Sequence, residues 1–153
     1  MRLASAVIGA VVAAGVLASV AAWLGATRGD AEGERAFDGR SPLSARIDGH
    51  ETPLPAQASA CANCHWPSAS PAAGDGTPAA LASLGPRLTR AVLLEPAARR
   101  GGPPSRYDEA AFCRLLRTGQ DPAGVMLPRA MPRYDLSDAA CTQLWRHLTG
   151  RAR

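Results

Sequence analysis

Cys61, Cys64 and His65 stand together in the run Cys61-Ala62-Asn63-Cys64-His65. Two thiols separated by two residues, with histidine next, read as a covalent attachment site for c-type haem. On one helical turn both sulfurs face the same way, so they can bond two neighbouring vinyl groups of one porphyrin. His65 is then placed under the iron as proximal ligand. In such a site the haem carries the chemistry, and the chain supplies ligation, burial and tuning.

Two other uses of a CxxC pair fit less well. A structural zinc needs about four ligands, and the remaining cysteines, Cys113 and Cys141, stand alone rather than as a second pair. A thioredoxin-like site needs a strand leading into the pair. Here Pro53-Leu54-Pro55-Ala56-Gln57-Ala58-Ser59-Ala60 precedes it, which is no buried strand. Beyond the haem motif there is no Ser/His/Asp set, no phosphate loop and no second metal cluster, so an electron-transfer protein is expected rather than an enzyme.

An iron with one protein ligand needs a second or leaves an open site. The residues able to supply it are Met131, Met126, His50 and His147. Met131-Pro132 lies shortly before the start of the last expected helix, in a loop that can cross the haem face opposite His65. Thioether ligation raises the reduction potential and fills the site, which suits electron transfer. Met131 is the expected ligand and Met126 the second choice. His147 falls off the apolar stripe of its helix and is expected on the surface, and His50 falls in a linker.

The chain has 153 residues, of which 5% are aromatic. One small domain with a thin core is expected, and a buried porphyrin would supply the missing apolar surface. All 17 basic residues are arginine, and the net charge is +4. Residues 27–86 carry −3 and residues 87–153 carry +6. A basic C-terminal part can steer docking onto an acidic redox partner, or it is a solvated face. No aromatic-interleaved basic motif points to nucleic acid.

Leu3 to Ala26 is an uncharged run of 24 apolar and small residues behind Arg2. That length can span a bilayer, whereas the apolar core of a cleaved signal is usually about 7–15 residues. A retained anchor is favoured over cleavage after Ala22. In either case the remainder is exported to the periplasmic side of the inner membrane. An exported chain can keep a disulfide, and Cys113 with Cys141 are the two cysteines available for it. The alternative is two buried thiols packed as small hydrophobes.

The expected organisation is a leader at 1–26, a linker at 27–54 and a haem domain at 55–150. Phe37, Leu43 and Ile47 are the linker residues able to clip onto the domain. A short helix begins near Pro55 and carries the CxxCH run. Thr77-Pro78 starts another. Asp108 caps a helix running to Thr118, with Gly119 as its stop. Ser137 caps the last helix, on which Cys141, Leu144, Trp145 and Leu148 form one core stripe. No strand is expected, so the fold class is all-α.

These residues resemble a class I c-type cytochrome over roughly 55–150. The resemblance rests on Cys61, Cys64 and His65, on Gly85-Pro86-Arg87-Leu88, on Met131-Pro132 and on the closing helix. It implies a small cytochrome c-like domain wrapped around one haem c bound through Cys61 and Cys64. It implies that the Pro86 carbonyl accepts a hydrogen bond from the second ring nitrogen of His65, which orients the ligand. It also implies Met131 as distal ligand, with Arg87, Arg133 and Tyr134 as haem-propionate partners. Three departures stand out: His147-Leu148 replaces the usual Tyr-Leu, Pro53 and Pro55 shorten the first helix, and Trp66 follows the histidine. The implied function is a tethered single-electron carrier between respiratory or dehydrogenase-type redox proteins. The alternatives are a dedicated haem subunit of a multi-subunit oxidoreductase, or a haem sensor with an open distal site.

Overall fold

The computed structural model describes residues 30–65 and 85–150. The expected membrane or signal segment at 1–26, Trp66 and the helix expected from Thr77 lie outside the described residues. Among the described residues no helix is long and apolar enough to cross a membrane.

Four helices and a two-stranded sheet make up the described fold. Residues 30–37 are helical (α1). Strand β1 is Ser44–Arg46. Then come α2, Arg90–Leu94, α3, Glu109–Thr118, β2, Arg133–Asp135, and α4, Asp138–Gly150. Between β1 and α2 come two short 3₁₀ turns, Ala56–Ala58 and Cys61–Asn63, the second carrying the start of the CxxCH run, rather than the single helix expected. Pro55 at the cap of the first turn has φ −55° and ψ 142°, an extended backbone that delays any helix start.

The longer helices begin where their side chains close the first turn. Asp108 Oδ1 accepts from Ala111 N at 2.7 Å, and Ser137 Oγ accepts from Ala140 N at 3.2 Å. Helix α3 stops at Gly119, which adopts φ 77° while its N–H reaches the Leu115 carbonyl at 2.7 Å. Only glycine takes that left-handed conformation at little cost. Asp108→Ala removes the side-chain cap and is expected to cost about 1 kcal/mol. A urea titration with unchanged slope and a lower midpoint checks it.

Helices α3 and α4 pack through Phe112, Leu115, Leu116, Leu144 and Leu148, all buried. The Phe112 and Trp145 rings meet with centroids 5.4 Å apart. Cys113 and Cys141 are disulfide-bonded across this contact, with Cα atoms 5.8 Å apart. Arg117 bridges to Asp138 at 2.6 Å, and Thr142 donates to Glu109. Leu93 of α2 completes the core, and Arg90 donates to the Thr149 carbonyl of α4.

Residues 30–54, expected as linker that Phe37, Leu43 and Ile47 can clip onto the domain, form an arm folded onto it; Phe37 is in the core and Leu43 packs against it. Ala36, Phe37 and Ala45 are buried in the same core as Leu144 and Tyr134. Helix α1 crosses α4 so closely that a Cβ on Gly33 would overlap the Gln143 carbonyl. Phe37 stacks on His147, ring centroids 5.7 Å apart, so His147 is half-buried rather than on the surface. The sheet also corrects the all-α expectation: β1 pairs antiparallel with β2 in the register Ser44↔Asp135, Ala45↔Tyr134, Arg46↔Arg133. The described fold is therefore mixed, helical with one small sheet. Each strand is only three residues long, too short for an alternating pattern to stand out.

Candidate haem-attachment site

The CxxCH turn is closed by its own backbone. The Cys61 carbonyl accepts from Cys64 N at 3.1 Å and from His65 N at 2.8 Å. Asn63 Nδ2 donates to the Gln57 carbonyl at 2.7 Å, tying the two 3₁₀ turns together. Beneath them lies Tyr134 of β2, which is buried. Its hydroxyl donates to the Ser59 carbonyl at 3.0 Å and lies 4.0 Å from Cys61 Sγ. The sheet thus supports the cysteine turn from below: the Tyr134 hydroxyl, expected from the resemblance to face a haem propionate, is here engaged with the Ser59 carbonyl and Cys61.

Both thiols are free; Cys61 is buried and Cys64 half-buried. Burial pushes the Cys61 thiol up to about 11. Disulfide oxidoreductases need the opposite, a lowered thiol. Among the described residues no group of three or more His, Cys, Asp or Glu side chains is arranged to hold a metal ion. The burial of Cys61 thus works against a lowered thiol at this position.

His65 is buried, and its Nδ1 lies 2.7 Å from the Pro86 carbonyl. A carbonyl only accepts, so Nδ1 carries the proton and Nε2 keeps its lone pair. Burial lowers the imidazole's pKa, with the Pro86 bond opposing, so the ring is held neutral, the form that ligates a metal. Gly85 passes directly beside the ring. A Cβ there would stand 2.6 Å from Cε1 and 2.9 Å from Nδ1. Gly85-Pro86 thus cradles one edge of the imidazole and fixes its tautomer. Arg87 follows on the surface.

Met131 is half-buried and packs against the core that contains Cys61. Met126 is 52% exposed on the loop after α3, and His50 is exposed in the turn after β1. The Met131 loop hangs from the end of α3: Leu127 N donates to the Gly119 carbonyl at 2.8 Å, and Met131 N to the Pro128 carbonyl at 3.0 Å. Arg133, 7% exposed, donates Nη1 to the Met131 carbonyl at 2.6 Å. Sequence reasoning named Arg133 for propionates and missed this bond, along with Gly119 and Asp48 as its neighbours and Ser59 as the partner of Tyr134. The only sequence signal was the glycine after α3, read simply as a helix stop.

A cavity of about 360 Å³ opens at the sheet, walled by Ser44, Arg46, Glu51, Arg117, Arg133 and Tyr134 among others. The thiols and His65 are not in its wall, but Tyr134, which supports the cysteine turn, is.

The donor types match those a covalent haem would need: two free thiols on one turn, Cys61 buried and Cys64 half-buried, an imidazole whose Nδ1 is bonded to a carbonyl, and a thioether on a tethered loop. Comparison with protein-family models, with curated proteins and with solved structures finds no match to this chain.

Proposed function

We propose that this chain is a monohaem c-type electron carrier working on the periplasmic side of a membrane. Cys61 and Cys64 hold the haem covalently, His65 is the proximal ligand and Met131 the distal one. The observation that carries this reading is the 2.7 Å bond between His65 Nδ1 and the Pro86 carbonyl. It leaves Nε2 free on the residue directly after the CxxC pair, and a carbonyl partner of this kind raises ligand basicity and fixes ring orientation. Bound there, haem supplies reversible one-electron transfer. The half-burial of Met131 beside an exposed Met126 favours Met131 as the distal ligand.

The basic surface of the C-terminal part suits an acidic face on a redox partner, whose approach it would speed at low salt. Optical spectra of the protein, produced with haem-maturation machinery, test the proposal. We expect covalent haem, a ferric methionine-to-iron band and poor carbon monoxide binding in the ferrous state. Met131→Ala removes the band and admits carbon monoxide. Fast carbon monoxide binding to the unaltered protein would favour a sensor with an open site, and absence of covalent haem would end the reading.

A further inference from the structure

Methionine has three freely turning side-chain bonds, so a firm iron–thioether bond depends on how well its backbone is held. In this chain both peptide groups of Met131 are tied. Its N–H reaches the Pro128 carbonyl at 3.0 Å, and its carbonyl accepts from Arg133 Nη1 at 2.6 Å. The Arg133 guanidinium is buried flat against Gly119, where a Cβ would overlap it. Its Nη2 lies 3.8 Å from Asp48 Oδ2 of the N-terminal arm and has no hydrogen-bond partner. Directly across the sheet Arg133 pairs with Arg46.

A guanidinium is taken out of water at high cost unless paired, and two like charges opposite one another weaken a sheet. An arginine serving only the sheet would therefore be a poor choice at this position. What Arg133 gains there is a charge-assisted bond to the peptide of Met131 and a rigid seat on the C-cap of α3.

We propose that Arg133 is the positioning residue of the distal methionine: it fastens the Met131 backbone to Gly119 and to the 30–54 arm. This rests on the His65/Met131 reading above. The arm then acts as a brace for the distal loop, through the β1–β2 pairing and Asp48, rather than as a spacer to the membrane.

The test uses the full haem-loaded chain with Arg133→Met, Arg133→Lys and, as control, Arg129→Met on the exposed part of the same loop. The readouts are the ferric methionine band, carbon monoxide affinity of the ferrous form, and hydrogen exchange at the Met131 amide. Arg133→Met is expected to weaken the band and raise carbon monoxide affinity and amide exchange about tenfold, the usual scale for losing a ligand's supporting partner. Arg133→Lys recovers part of each, since an ammonium also bonds a carbonyl, and Arg129→Met changes none. A Met131-dependent band that ignores Arg133→Met overturns the proposal while leaving the haem reading intact. If the protein shows no Met131-dependent band, the underlying reading falls and takes the proposal with it. Should Arg133→Met not fold, Asp48→Asn removes the arm's charge facing Arg133 Nη2 while leaving the guanidinium in place. A weakened band there supports the brace, and an unchanged band rejects it.

Discussion

Gly85→Val will push the His65 ring off the Pro86 carbonyl and, on the proposed haem reading, loosen the proximal ligand while both thioether bonds remain. The argument is steric. Even the first carbon of a side chain at position 85 would stand 2.6 Å from Cε1, 2.9 Å from Nδ1 and 3.2 Å from Nε2. Two of these lie well inside normal contact, and the ring has no room to yield while Nδ1 stays bonded to Pro86. The ring must rotate, and Nδ1 loses the acceptor that fixes its tautomer. Losing such a partner typically costs 10–100-fold in metal affinity. The expected result is covalent haem in near-normal yield, a ferric spectrum shifted towards a high-spin form, and about tenfold or greater gain in carbon monoxide binding. Gly150→Ala, with open space around its Cβ position, serves as control. A Gly85→Val protein with unaltered ligation would show that the imidazole is not held as described.

The parts of this fold that were legible in the sequence are local. Asp108 and Ser137 bond to amides three residues on, and Gly119 turns the chain at the end of α3. Each is set by neighbours in sequence, so residue type alone announces it. The stripe Cys141, Leu144, Trp145, Leu148 is likewise a property of one helix, and three of its members are buried with Trp145 partly so. What was not legible is long-range. The pairing of Ala45 with Tyr134 joins residues some ninety positions apart, and a single buried alanine between exposed Ser44 and Arg46 carries no pattern. The 30–54 arm reads as linker because its glycines and charges dominate its composition; Phe37 stands out as able to clip it on, but its partner His147 and the close approach of α4 at Gly33 depend on distant residues. The candidate site divides in the same way. CxxCH and Gly-Pro are sequence motifs. The support of Met131 by Arg133, and of the cysteine turn by Tyr134, exists only once β2 is laid against the rest.

Breaking the Cys113–Cys141 bond is expected to be the largest single loss of stability in the molecule, and to be felt at the distal loop. The disulfide closes a loop of sequence separation 28, worth about 3 to 4 kcal/mol in unfolded-chain entropy. It joins α3 to α4 at the centre of the core, where Cys141 is fully buried and Cys113 nearly so. For a domain of this size such a loss lowers Tm by more than about 10 °C. Cys113→Ala/Cys141→Ala in a thermal melt, beside unaltered protein with and without reductant, measures it; a drop below about 1 kcal/mol rejects the estimate. The consequence for the site follows from connectivity. Helix α3 ends at Gly119, whose carbonyl holds Leu127 and whose backbone seats Arg133. A looser α3–α4 contact therefore frees the loop that presents Met131 while leaving the cysteine turn, held by Tyr134 and its own backbone, in place. Reduction should weaken the ferric methionine band before any haem is lost, and equal loss of both would mean that the two sides of the site are not separately supported.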